Sequence, residues 1–87
     1  MENITVRVKQ VNNEFNFTLF DLYEIKLTLI SGNKFWIDNS KNQTSIEEDK
    51  EVFEYFNNFK RTKDVFTISL PVILADKIVY LLNNPKR

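Results

Sequence analysis

The sequence predicts an α+β domain: a two-layer sandwich in which two helices cover one face of a mainly antiparallel sheet of four to five strands. Three observations carry this. Apolar side chains alternate with polar ones in four short segments between Ile4 and Ile37, the period lengthens to that of a helix after Thr44, and a short β-prone run, Val65 to Leu70, precedes a second helical stretch. Hydrophobic residues make up 43% of the 87 residues and aromatics 14%, enough for a single core over residues 1–87. Twelve basic residues balance twelve acidic ones, so the chain lacks the high net charge of a disordered segment.

Ile4, Val6 and Val8 alternate with Thr5, Arg7 and Lys9, which sends apolar side chains to one sheet face and polar ones to the other. Asn12-Asn13 supplies turn residues, and Phe15, Phe17 and Leu19 then alternate with Asn16 and Thr18, so strands one and two form a hairpin. Ile25, Leu27 and Leu29 make a third strand. The spacing of Leu19, Leu22, Tyr23, Leu27 and Ile30 also fits a helix, and the clean alternation from Ile25 decides for a strand. Ser31-Gly32-Asn33-Lys34, with the only glycine of the chain, turns into a fourth strand bearing Phe35 and Ile37.

Thr44 and Ser45, followed by Glu47 and Glu48, read as overlapping capping boxes, with Ile46, Val52, Phe53, Phe56 and Phe59 on one face of a helix from about Ser45 to Lys60. Acids at its start and Lys60-Arg61 at its end suit the helix dipole. Val65 to Leu70 reads as the fifth strand. Pro71, after a Ser69 cap, opens a last helix over Val72 to Leu82, closed by Asn83-Asn84-Pro85. The predicted order is β-β-β-β-α-β-α.

The absences restrict function. Without histidine or cysteine the chain lacks the usual general base, the usual thiol nucleophile and the softer metal ligands. One glycine cannot build a phosphate-cradling loop. The clustered acids Glu47, Glu51 and Glu54 share a helix face that reads as a solvated acidic stripe, a poor place for a carboxylate with a raised pKa. Asp38, Ser40, Asn42, Thr44 and Asp49 fall at oxygen-donor positions of an EF-hand frame, but Gln43 stands where the turn needs glycine and Ile46 where a donor belongs. No catalytic residue, metal site or cofactor is therefore expected. The triplets at Asn3, Asn16 and Asn42 that resemble glycosylation acceptors are read as chance. Lacking cysteines, an apolar leader and a membrane-spanning run, the sequence predicts a cytoplasmic location.

Function is left to surfaces. Trp36 phases onto the polar sheet face with Phe20, Ile30, Arg7, Lys26 and Lys34, and exposed Trp and Arg side chains are common interface anchors. These six form the predicted partner-binding patch. Ile73 and Tyr80 lie opposite the core stripe Leu74, Ala75, Ile78, Leu81 and Leu82 of the last helix, a possible second interface and route to a homodimer. The expected role is a non-catalytic protein-interaction module, of the type of the small inhibitors and adaptors that phages and mobile elements encode, acting by steric occlusion of a larger partner. No motif carries that likeness. The alternative is single-stranded nucleic-acid binding through Arg7, Lys26, Lys34 and Trp36, against which stands the balanced charge.

Overall fold

A computed structural model describes residues 2–39, 44–59 and 64–84. The calcium-like frame at Ser40, Asn42 and Gln43, the helix-end cations Lys60 and Arg61, and Pro85 lie outside them. The fold is α+β, as predicted, with six strands in one antiparallel sheet: β1 (Asn3–Val11), β2 (Glu14–Leu19), β3 (Tyr23–Leu29), β4 (Lys34–Asn39), β5 (Thr44–Glu48) and β6 (Val65–Pro71). Helix α1 spans Lys50–Asn57 and α2 spans Val72–Asn83. Spatial order is β5-β4-β3-β2-β1-β6, so five consecutive strands form a meander and β6 closes on β1 after the α1 crossover.

The alternation dictates the layers. Val6, Val8, Phe15, Phe17, Leu19, Ile25, Leu27, Leu29, Phe35 and Ile37 all turn to one face and are buried there. The helices cover that face. Phe56 of α1 sits with its ring centroid 5.3 Å from those of both Phe15 and Phe17, tilted against the first and stacked on the second. Burying a side chain of this kind stabilises the fold by about 1.5–3 kcal/mol. Leu74, Ala75, Ile78 and Leu82 are the buried stripe of α2, with Leu81 partly buried beside them. Tyr55 fastens the helix layer to the sheet: its hydroxyl donates to the Ser69 carbonyl oxygen of β6 at 2.6 Å. Lys77 of α2 pairs with Glu51 at 2.9 Å and Asp49 at 3.3 Å, joining the two helices.

Three sequence expectations need correction. Thr44 to Glu48 is a strand, so the order is β-β-β-β-β-α-β-α and the predicted helix over residues 45–60 shortens to Lys50–Asn57. Its cap is Asp49, whose side chain accepts from the Val52 amide at 3.0 Å. Pro71 ends β6 and stands at the α2 N-cap without a side-chain bond; Ser69 is not the cap. The stretch around Tyr23 is strand and turn, as preferred.

The hairpin turns follow the sequence chemistry except at one place. Gly32 and Asn33 take φ of 60° and 65°, and Asn12 takes 56°, conformations that Gly and Asn adopt at little cost. Between β2 and β3, Phe20 and Asp21 take φ of 55° and 53°. A bulky residue rarely does so.

Candidate functional site

The uncovered face of the sheet carries every second residue of all six strands, and the pairing register arranges them in rows. One row runs Ile46, Trp36, Thr28, Glu14, Val11 across β5 to β1. The next runs Thr44, Asp38, Lys26, Asn16, Lys9, Val65. Beyond it Glu24 pairs with Thr18 and Arg7 with Thr67, in a third row.

Trp36 is 41% exposed, directly opposite Ile46 at 45%, with Ile30, 43% exposed, diagonal to it next to Lys34. Three large apolar side chains thus share one corner of a mostly polar face, on which Val11 and Val65 are exposed apolar residues farther off, on β1 and β6. Glu48 stands opposite Lys34 at its border. Directly opposed apolar residues on adjacent strands attract, yet this cluster still leaves substantial apolar surface in water.

The predicted patch divides on this lattice. Trp36, Ile30 and Lys34 come together. Arg7 and Lys26 lie in the second and third rows, on the wall of an open trough of about 740 Å³ that also includes Lys9, Asp21, Glu24 and Asp38. Phe20 is at the opposite end of the sheet: β3 alone separates Tyr23 from Thr28 by five residues, or about 17 Å at the rise of a strand. It shares that end with Leu22, at 70% the most exposed large apolar side chain among the described residues.

Ile46 is the member of the corner that sequence reasoning missed, because its spacing to Val52 and Phe53 assigns it to the buried side of a helix. The acidic stripe is likewise dissolved. Glu47 turns inward from β5, 1% exposed, and accepts from the Ser45 hydroxyl at 2.8 Å, whereas Glu51 and Glu54 are exposed on α1.

Charge on the open face balances. Arg7, Lys9, Lys26 and Lys34 meet Glu14, Glu24, Asp38 and Glu48, four against four, and Lys26 faces Asp38 just as Lys34 faces Glu48. Asp38 Oδ1 is sealed from solvent and has no hydrogen-bond partner among the described residues, and Lys26 stands across from it on β3. Among the described residues no group of three or more acids converges as metal ligands would.

On α2, Ile73 and Tyr80 are 58% and 64% exposed, two turns apart on one face. Lys77 stands between them on that face, already held by Glu51 and Asp49. No helix among the described residues is long and apolar enough to cross a membrane. Compared with family models, with curated proteins and with solved structures, the chain matches none of them.

Proposed function

We propose that the protein is a non-catalytic interaction module that binds another protein through the Trp36–Ile46–Ile30 corner of its open sheet face. The observation that carries this reading is the clustering itself: three exposed apolar side chains, one of them the only tryptophan, lie together on a mostly polar face whose other exposed apolar residues, Val11 and Val65, stand apart on β1 and β6. Tryptophan buries a large area at small entropic cost and is enriched among the residues that dominate binding energy. Lys34 and Glu48 border the corner with opposite charges and supply orientation more than affinity. The consequence for a larger partner is occlusion of whatever surface the corner covers, as a phage-type inhibitor or adaptor would act.

The balanced open face argues against the nucleic-acid alternative, since phosphate affinity comes from a local excess of cations. Glu47, Glu51 and Glu54 do not converge as a catalytic pair would: Glu47 turns inward on β5, and Glu51 and Glu54 are exposed on α1.

The test is affinity capture from the native host with wild type and Trp36→Ala in parallel. A protein retained by the first and lost from the second is the expected result. Equal retention by both removes the corner from the interface. Tryptophan fluorescence should stay unchanged on adding single-stranded oligonucleotide; quenching that weakens as salt rises would transfer the reading to nucleic acid.

A further inference from the structure

We infer that the β5 edge pairs with the same edge of a second copy of this chain, in antiparallel register about a two-fold axis at Ile46. The inference rests on the reading that the Trp36 corner is the binding surface, and names the second copy that would extend it across the β5 edge.

The backbone of β5 has a determined polarity. The Ile30 amide donates to the Lys34 carbonyl and the Lys34 amide to the Ser31 carbonyl, so even-numbered residues of β4 direct their backbone groups toward β3. Phe35 and Ile37 therefore bond β5, through Glu47 and Ser45. The Asp49 amide, bonded to the Asn33 carbonyl at 2.9 Å, continues the same register. Thr44, Ile46 and Glu48 are left with their N–H and C=O groups directed away from the sheet. A row of such groups is a template for another strand.

The opposite edge is treated differently. The same alternation, fixed by the Gln10 amide bonding the Asp64 carbonyl at 2.7 Å, turns the backbone of Val65, Thr67 and Ser69 outward from β6. There the Tyr55 hydroxyl occupies the Ser69 carbonyl. Each edge carries one exposed apolar side chain, Val65 at 41% and Ile46 at 45%, but only on β6 does a side chain of α1 take one of the outward backbone groups among the described residues.

Self-pairing suits β5 in one register. With the axis at Ile46, Ile46 exchanges both backbone bonds with its symmetry mate, and Thr44 faces Glu48 of the second copy, so that no like charges are opposed. A shift that sets Ile46 against Glu48 uses fewer backbone groups and faces an apolar side chain with a carboxylate. In the favoured register the apolar corners merge: Trp36 and Ile46 of one copy continue into Ile46 and Trp36 of the other, along one row of a twelve-stranded sheet. An isologous contact of this kind closes on itself and does not propagate into fibres. The merged row stays on the open face, so the second copy enlarges the apolar corner along the edge and leaves Trp36 facing outward.

The experiment is sedimentation equilibrium from micromolar to millimolar protein. Wild type should show a reversible monomer–dimer equilibrium. Ile46→Lys, which sets two ammonium groups opposite each other and removes both isoleucines from the joint, should weaken it by about a hundredfold or more. Ile73→Lys, on the exposed face of α2, should leave it unchanged. In wild type, hydrogen exchange at the Thr44, Ile46 and Glu48 amides should slow as concentration rises while that of Thr67 does not, a readout independent of how the variants fold. A monomer throughout the range, unaltered dimerisation of Ile46→Lys, loss of the dimer in Ile73→Lys, or protection at Thr67 in place of Ile46 would each overturn the inference. A monomeric wild type that still captures a partner lost from Trp36→Ala would leave the interaction module standing and remove only the second copy.

Discussion

The least comfortable residues in the molecule are Phe20 and Asp21. They form the turn that the Leu22 amide closes on the Leu19 carbonyl at 3.1 Å, and both hold positive φ where an Asn-Gly pair would sit without cost. A residue with a Cβ loses roughly 1–2 kcal/mol in this conformation, and glycine gives back about 0.5–1 kcal/mol through its unfolded-state freedom. Asp21 is exposed, so no packing is lost when it changes. Asp21→Gly should therefore raise stability by about 0.5–1 kcal/mol in urea denaturation; an unchanged or lower midpoint would show that the turn carries no such strain. The comparison position is Gly32, at φ of 60°, where a Cβ would meet no atom within 4 Å and the same conformational preference acts in reverse. Phase alone assigns Phe20 to the Trp36 side of the sheet. Only the register, which no single sequence states, sets it at the far end.

At the scale of elements, β5 decides both the corner and the edge. Thr44-Ser45-Ile46-Glu47-Glu48 has one apolar residue, turned outward, and two polar ones turned inward, which reverses the pattern of every other strand. Sequence reasoning finds strands by apolar residues facing the core, so β1 to β4 are legible and β5 reads as a capped helix start. Such an inversion suits an interaction surface, because local rules are broken where a surface serves something other than packing. Placing the cap at Asp49 has a measurable consequence. Asp49→Ala removes its bond to the Val52 amide and one of the two ion pairs of Lys77, and should cost about 1–2 kcal/mol. Thr44→Ala, at an exposed strand position, should stay within about 0.5 kcal/mol of wild type. If denaturation midpoints rank the two the other way, the helix begins at Thr44 and β5 does not exist as a strand.

For the whole molecule, stability has to come from joining a helix layer to one sheet, and two named contacts fasten that layer, Tyr55 to the sheet and Lys77 from one helix to the other, through a phenol and an ammonium that titrate in alkali. Burial pushes the Tyr55 phenol above its ordinary 10.0. The Glu51 hydrogen bond raises Lys77 above 10.5, against some desolvation and with help from Asp49. In both cases the folded-state value lies above the unfolded one, so the native state holds more protons in that window and stability falls as pH rises. The contributions are complete below about pH 10 and lost as the pH passes through the raised values. Ionised Tyr55 can no longer donate to the Ser69 carbonyl, so the capped β6 edge and the α1 layer loosen together. With no histidine in the chain, no side chain of ordinary pKa titrates between the carboxylates and the amines. The urea midpoint should therefore be nearly level from about pH 6 to 9 and decline above about pH 10. Tyr55→Phe should be less stable at neutral pH through loss of the hydrogen bond, by about 1 kcal/mol, and should decline less steeply in alkali. The tyrosinate absorbance of wild type should show one of its three tyrosines ionising late, and that late step should vanish in Tyr55→Phe. A wild-type titration without that late step would mean that the phenol does not bind the sheet edge and that the helix layer is held to the sheet by apolar packing alone.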